Sequence, residues 1–143
     1  MYYINYFVSW SDKELLVATT RPETLLGDQA IAVHPKDKRY KKLIGKSVIL
    51  PIINREIPII GDDSIDMEFG TGAMTITPWH DPIDFDIATR HNLPYEQVID
   101  WRGKLLPIAG EFAGQDIRDA RKLIVEKLKE KGLLVKIDEQ YHH

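Results

Sequence analysis

Residues 70–84 read Gly-Thr-Gly-Ala-Met-Thr-Ile-Thr-Pro-Trp-His-Asp-Pro-Ile-Asp and place a strand candidate between a glycine turn and the start of a helix. Gly70 and Gly72 have no Cβ, so the backbone there can come close to a ligand. Asp81 is expected to cap the helix, and Asp84 lies in its first turn. Both carboxylates also have purely structural interpretations, as a helix cap and as a favourable charge at the helix N-terminus. The stretch predicts a strand–helix unit with a candidate pocket at one end.

A second stretch, residues 19–28, reads Thr-Thr-Arg-Pro-Glu-Thr-Leu-Leu-Gly-Asp and follows an apolar strand candidate at 15–18. The proline permits a short helical turn that Gly27 can close. Arg21 supplies a fixed cation suited to phosphate or carboxylate. We interpret Thr19 as an ordinary strand residue, and Arg21 and Thr24 as site candidates.

Together the two stretches resemble the editing domain inserted in class I aminoacyl-tRNA synthetases, most closely that of valyl-tRNA synthetase. The Arg-Pro-Glu-Thr-Leu-Leu-Gly-Asp form of the second stretch is the version that points to valine. The chain contains neither a His-x-Gly-His nor a Lys-Met-Ser-Lys-Ser sequence, so amino-acid activation is not expected from it. The matching segments run in order through nearly the whole chain, at 19–28, 32–35, 37, 39–40, 57–60, 68–73, 77–78, 80–82, 84 and 90–94.

The coarse pattern predicts an α+β fold in which a barrel-like mixed β-sheet carries a few peripheral helices, as the resemblance also implies. One domain is expected over residues 1–143, excised from a longer synthetase chain. Helices are expected at 37–43, 81–91 and 116–131. Strands are expected at 2–9, 14–20, 30–33, 47–50, 56–60, 74–77, 97–100, 104–107 and 133–137.

Composition places the chain among ordinary globular proteins. Its 143 residues are 43% apolar and 29% charged, enough to bury a core as one domain. The absence of cysteine excludes a disulfide framework and a thiol nucleophile. No apolar run reaches the length of a membrane span and no signal peptide is visible, so a cytoplasmic location is expected.

The net charge of −3 argues against a dedicated nucleic-acid-binding protein, but two stretches are locally basic. We interpret the first as a candidate contact to the tRNA backbone and the second as ordinary solvated helix surface. The first contains Lys36, Lys38, Arg39, Lys41, Lys42 and Lys46, and the second contains Arg118, Arg121, Lys122, Lys127, Lys129 and Lys131.

The resemblance implies hydrolytic editing of mischarged tRNA. A pocket built for valine cannot strongly reject the isosteric threonine, and valyl-tRNA synthetase is the standard example of this limit. The implied reaction is deacylation of threonyl-tRNA(Val), with no cofactor for editing and ATP used only by the synthetic domain. The implied partners are the acceptor end of tRNA(Val) carrying threonine and the remainder of the synthetase, in a monomer without membrane contact.

The resemblance also implies roles for single residues. Asp84 would make the principal contact to the amino acid, with Asp81 alongside, and Thr77 and Thr24 would position substrate or water. No Ser-His-Asp set is apparent, which favours attack by a positioned water, helped by a ribose hydroxyl. The substrate-binding set comprises Arg21 near the ester or terminal nucleotide, Phe69 stacked on that nucleotide, Thr20, Thr75 and His80.

Two positions depart from the valyl pattern. Thr75 stands where the family typically has lysine, and Trp79 where it usually has alanine. The lost cation could have stabilised charge on the ester, and the large indole could narrow the pocket. These changes put rate and threonine selectivity in question more than the fold.

Two other functions remain open. One is a noncatalytic module that binds the tRNA acceptor end, a degenerate editing insert that the Thr75 departure would favour. The other is a metal-dependent esterase, in which His80 would join Asp81, Asp84, His34 and His91. Because their spacing matches no standard zinc pattern, no metal site is expected.

Overall fold

A computed structural model of the protein describes residues 1–78, 81–94 and 97–138. In this part of the chain, one α-helix (α1) spans Pro82–Arg90 and another (α2) spans Ile117–Glu130. Short 3₁₀ segments cover Pro22–Gly27, Lys41–Leu43 and Pro107–Phe112. The strands are β1 (Tyr2–Val8), β2 (Glu14–Thr19), β3 (Ala30–Val33), β4 (Ser47–Ile49), β5 (Glu56–Gly61), β6 (Ala73–Ile76) and β7 (Leu134–Ile137).

The strands form one mixed sheet in the order β2-β1-β4-β5-β3-β6, with β7 paired to β1. The β3–β5 pair is parallel, whereas the other pairs are antiparallel. The two ends of this order, β2 and β6, contact each other, so the sheet curves into a nearly closed barrel. The predicted α+β barrel-like sheet is confirmed.

Strands β1 and β2 form an antiparallel hairpin, with Tyr2 opposite Thr19 and Phe7 opposite Glu14. Ile4 and Tyr6 point into the core while Phe7 is exposed, because successive side chains of a strand face opposite sides. The strands expected at 2–9 and 14–20 are confirmed as β1 and β2.

Strand β3 is buried on both faces because it separates two apolar clusters. Ile31 and Val33 belong to the large core that includes α2. Ala30 and Ala32 face a smaller cluster with Ile87 and other residues of α1. Their small side chains let α1 pack closely on the sheet and fix the helix beside the end of β6.

Helix α2 confirms the helix expected at 116–131 and has an N-terminal cap and an apolar face. The Asp116 carboxylate accepts a hydrogen bond from Arg118 N at 2.9 Å, and Ala120, Ile124 and Leu128 are buried. Gly132, with φ of +70°, follows its end. None of the helices in the described part of the chain is long and apolar enough to cross a membrane.

The helix expected over residues 37–43 is wrong except for its last turn, Lys41–Leu43. The Asp37 side chain accepts a hydrogen bond from Arg39 N at 3.0 Å, and this local turn competes with helix formation.

The strands expected at 97–100 and 104–107 are reduced to two isolated bridges, Ile99 with Leu105 and Lys104 with Asp116. Asp100 instead accepts from the amides of Arg102 and Lys104, which makes a turn. Pro107 has no amide hydrogen for a strand ladder and begins a 3₁₀ segment that the sequence analysis did not anticipate.

Candidate functional site

The residues proposed from the sequence meet around one cavity of about 210 Å³. The cavity lies where β2 and β6 end and α1 begins. It is also lined by Met1, Ala18, Thr19 and Met74. His80 and Trp79 lie outside the described residues. The proposed residues that line the cavity are Asp84, Asp81, Thr77, Thr24, Arg21, Thr20, Phe69 and Thr75.

Asp81 is both a helix cap and a cavity residue. Its Oδ1 accepts hydrogen bonds from Ile83 N at 2.8 Å and Asp84 N at 3.2 Å, as the sequence predicts for an N-cap. The structural interpretation of Asp81 is therefore correct, and it does not exclude contact with a ligand.

Asp84 is the most deeply buried carboxylate of the cavity wall, with 8% of its surface exposed. Its Oδ2 accepts a hydrogen bond from Thr77 N at 2.9 Å. Burial raises the pKa of Asp84 to about 6; the Thr77 amide works against this rise and the charge of Asp81 adds to it. Asp84 is thus mainly ionised at neutral pH but close to its midpoint.

The turn at Arg21 holds hydroxyl groups against its own backbone. Thr24 Oγ1 donates to the Arg21 carbonyl oxygen at 2.9 Å, and Thr19 Oγ1 accepts from Arg21 N at 3.1 Å. The 3₁₀ segment that follows matches the short helical turn expected after Pro22. These bonds set the place of Thr24 in the cavity wall, while the Arg21 side chain remains exposed.

The glycine turn before β6 is required by its backbone conformation and by close protein contacts. Gly70 and Gly72 have φ of +58° and +82°. A Cβ on Gly70 would lie 3.1 Å from Ala18 Cβ, and one on Gly72 would lie 2.9 Å from the Met67 carbonyl oxygen. Thr71 Oγ1 donates to the Leu16 carbonyl oxygen at 2.6 Å and joins this turn to β2.

A family model described as "Leucyl-tRNA synthetase, editing domain" matches residues 36–129, which is more than half of the chain. The chain belongs to this editing-domain family.

Among the relatives of this editing domain are valine–tRNA ligases of several bacteria. The protein of Carboxydothermus hydrogenoformans is 56% identical over 142 residues, and that of Thermotoga maritima is 50% identical over 142 residues. Both alignments cover 99% of the editing domain but 16% of the relative's length. The valyl resemblance of the sequence is therefore confirmed.

Solved structures share the fold at lower sequence identity. An Agrobacterium radiobacter LeuRS, in a ternary complex named LeuRS-tRNA-LeuAMS, has a TM-score of 0.72 at 23% identity. That match covers 91% of the editing domain and 19% of the LeuRS chain. GlLeuRS-CP1 has a TM-score of 0.74 at 15% identity, with 99% of both chains covered.

Asp28 is a buried carboxyl for which the sequence predicted no role. It is completely buried and accepts hydrogen bonds from Tyr6 Oη at 2.9 Å and Thr77 Oγ1 at 3.1 Å. Burial raises the pKa of Asp28 well above its usual range, although both hydroxyl groups work to lower it. The signal that could have found it is a charged residue two positions before the apolar strand β3.

Glu23 is a second buried carboxylate of the editing domain that sequence reasoning missed. It is completely buried, and the Arg121 guanidinium reaches both of its oxygens, with the shortest separation 2.7 Å. Arg121 lies on the helix surface as expected, but its guanidinium is paired with a buried carboxylate, which was not expected. The pair joins the segment that carries Thr24 to α2.

The far end of α1 is held by Asp62, which follows β5. Asp62 accepts from the Arg90 guanidinium at 2.9 Å and interacts with His91 Nε2 at 2.9 Å. Burial works to raise the pKa of Asp62, but hydrogen bonds from Arg90 and Ser64 hold it well below its usual range. Both ends of the helix that carries Asp84 are therefore fixed to the sheet region.

The start of the first basic stretch lines a groove together with the segment that carries Phe69. Lys36 and Lys38 are exposed, next to Gly70 and the segment that carries Phe69. Arg39 is 2.7 Å from Asp37 and also donates to the Met67 carbonyl oxygen, so its guanidinium is largely committed within the protein.

No three His, Asp or Glu side chains lie close enough to hold a metal ion together within residues 1–78, 81–94 and 97–138.

Proposed function

We propose that this domain edits mischarged tRNA by hydrolysing the ester of threonine on tRNA(Val). The observation that carries the proposal is the position of Asp84. Its carboxylate is held by the Thr77 amide at 2.9 Å and lines a cavity that also presents Asp81 and Thr24. The valine–tRNA ligase relatives make the valine tRNA the natural substrate to propose.

The substrate ammonium is the group that the carboxylates suit. The Thr77 amide occupies Oδ2 of Asp84, and among the described residues none donates to Oδ1. An ionised carboxylate oxygen forms stronger hydrogen bonds to a cation than a neutral acceptor does. Asp84 would bind the ammonium, and Asp81 would add negative charge at the cavity mouth.

Discrimination against valine would come from the threonine hydroxyl. Thr77 and Thr24, which carry hydroxyl groups, both line the cavity. A threonine side chain can hydrogen-bond such groups, whereas the valine methyl group in its place would leave them unpaired. The proposed site therefore binds valine weakly, because its own hydroxyl groups would lack hydrogen-bond partners.

The hydrolytic step would use a water molecule held near the ester. Water attacks the ester carbonyl carbon, the bond to the ribose oxygen breaks, and free threonine and tRNA result. Thr77 and Thr24 would position this water, and the exposed Arg21 side chain would bind the ester or the terminal nucleotide. No cofactor is proposed for this step.

The proposed partner is the acceptor end of tRNA(Val), presented by the remainder of a cytoplasmic synthetase. Phe69, 40% exposed at the cavity, would stack on the terminal base, and Lys36 and Lys38 would contact the backbone. The LeuRS structural relative is itself recorded in a complex with tRNA.

A noncatalytic tRNA-binding module is the second candidate function. Thr75 lines the cavity at the position where the valyl family typically has lysine. Such a module would bind the acceptor end with an affinity that falls with salt, without cleaving the ester.

The test compares deacylation of threonyl-tRNA(Val) by the domain, by Asp84→Ala and by Asp86→Ala. Asp86 lies on the same helix but is exposed and does not line the cavity, so it is the matched control. We expect Asp84→Ala to lose activity by at least a hundredfold, and Asp86→Ala to retain it. Equal activity in all three would contradict the assignment of Asp84, and salt-sensitive binding without hydrolysis would support the second candidate.

A further inference from the structure

Asp28 lies behind the cavity wall and does not line the cavity. Its carboxyl is completely buried, with Tyr6 Oη on Oδ2 and Thr77 Oγ1 on Oδ1. Burying a carboxyl is costly, so a position that keeps one beside a cavity residue calls for a functional reason.

Both hydrogen-bond donors of Thr77 are committed to carboxyl groups. Its amide donates to Asp84 Oδ2 at 2.9 Å, and its hydroxyl donates to Asp28 Oδ1 at 3.1 Å. A threonine hydroxyl has one proton and two lone pairs. Oδ1 of Asp28 accepts that proton whether the carboxyl is ionised or carries its own proton on Oδ2. While Oδ1 of Asp28 carries no proton of its own, the Thr77 hydroxyl can therefore meet a ligand only as an acceptor.

The Thr24 hydroxyl is also held as a donor to a protein group, so it too can act only as an acceptor toward a ligand. Its hydroxyl lies 2.9 Å from the Arg21 carbonyl oxygen, which has no proton, so Thr24 must be the donor. With Asp81 and Asp84, the cavity wall then presents a set of acceptors. The matching ligand is rich in donors, as is an amino acid with a free ammonium and a side-chain hydroxyl.

We propose that Asp28 is a positioning residue that fixes the Thr77 hydroxyl as an acceptor and so makes the cavity select ligands that can donate to it. The inference rests on the proposed function and deepens it. Threonine offers a side-chain proton to this acceptor, and valine offers none.

The test measures binding, so that it stays separate from hydrolysis. The probes are two adenosines that carry threonine or valine in amide linkage on the ribose, which the domain cannot cleave as an ester. Calorimetry gives the ratio of the two dissociation constants for each variant. A domain that prefers the threonyl amide but cleaves no threonyl ester would contradict the proposed function and leave this inference intact.

The test variant is Tyr6→Phe/Asp28→Leu, and Tyr6→Phe alone is its matched control. Replacing both buried partners by apolar groups of similar shape limits the loss of stability, which a melting curve checks. In the test variant the Thr77 hydroxyl is free to donate into the cavity. We expect the preference for the threonyl amide to fall about tenfold, while Tyr6→Phe retains it. An unchanged preference in the test variant would overturn the proposal.

A double-mutant cycle separates polarity from general damage. In a Thr77→Val background, Asp28→Leu is expected to have no further effect on the preference, because the hydroxyl on which it acts is gone. Additive losses would assign Asp28 a merely structural role. Asp28→Asn gives an independent check, since its side-chain oxygen still accepts from Thr77 while its amide donates to Tyr6. We expect it to keep the preference, and its loss would overturn the proposal.

Discussion

The amide of Thr77 donates to Oδ2 of Asp84 across 2.9 Å and so joins the end of β6 to the first turn of α1. This bond holds a largely buried carboxylate at the cavity wall, where the charged form is costly. Burial raises the pKa of Asp84 to about 6, although the Thr77 amide works to lower it. The proposed reaction should therefore depend on pH near neutrality.

The first expected outcome is a pH dependence of deacylation. Ionised Asp84 is needed to bind the ammonium, so the enzyme-dependent rate should rise between pH 5 and 7 with a midpoint near 6. Rates at each pH are measured by loss of threonine from threonyl-tRNA(Val), corrected for hydrolysis without protein. A midpoint near 4 would show that burial does not act on the group that controls the rate.

The same carboxyl should lower the stability of the domain as pH rises. Its folded pKa is raised from 3.8 to about 6, so the folded state holds the proton more tightly, and this stabilisation is lost through pH 6. Relative to Asp84→Asn, the domain should lose on the order of 2 kcal/mol between pH 4 and pH 7. Urea unfolding at several pH values measures this difference, and parallel stability curves for the two proteins would rule it out.

The two roles of Asp81 can be separated by the choice of substitution. Asp81→Ala removes the cap of α1 and should reduce the free energy of unfolding by about 1 kcal/mol. Asp81→Asn keeps a capping oxygen for the amides of Ile83 and Asp84 but removes the charge. We expect Asp81→Asn to keep normal stability and yet bind the acceptor end more weakly. Normal binding by Asp81→Asn would show that Asp81 acts only as the helix cap.

Gly27 is a position where one methyl group should disrupt the site. A Cβ there would lie 1.8 Å from Val98 Cγ2. We expect Gly27→Ala to reduce the free energy of unfolding by about 3 kcal/mol, through overpacking of the segment that carries Thr24. Chemical denaturation measures the loss. Gly27→Ala/Val98→Ala should recover part of it, and a double variant no more stable than Gly27→Ala would point to backbone strain instead.

The pair of Glu23 and Arg121 should stabilise the domain although one partner is at the surface. Arg121→Met leaves the Glu23 carboxylate buried without its cation and should cost about 3 kcal/mol. Lys122→Met, at the exposed neighbouring position, is the control and should change stability by less than about 0.5 kcal/mol. Thermal and urea unfolding of the two variants measure both effects, and equal stabilities would show that the buried pair adds nothing.

The sequence predicted those parts of the fold that depend on local pattern. Alternation in the β1–β2 hairpin and the apolar face of α2 were readable because each element buries one side. The helix over 37–43 failed because a side-chain bond from Asp37 competes with the backbone. That competition depends on one local geometry and leaves little mark on periodicity.

The sequence predicted those site residues whose contacts are local in the chain. It did not predict those whose partners are distant in the sequence. Asp81 and Arg21 could be placed from their local motifs. Thr77, which binds Asp28, is 49 residues away from it in the sequence. Arg121, which binds Glu23, is 98 residues away. Only the tertiary fold brings such pairs together, so no spacing rule reveals them.

The most direct measurement is the ratio of deacylation rates for threonyl-tRNA(Val) and valyl-tRNA(Val), with the domain in excess over each ester. If the ammonium binds Asp84 and the threonine hydroxyl bonds to Thr77, the threonyl ester should be cleaved at least about a hundredfold faster than the valyl ester. Asp84→Ala should bring both rates to the level seen without protein. Cleavage of the two esters at equal rates would contradict threonine selectivity, and unchanged cleavage by Asp84→Ala would contradict the site.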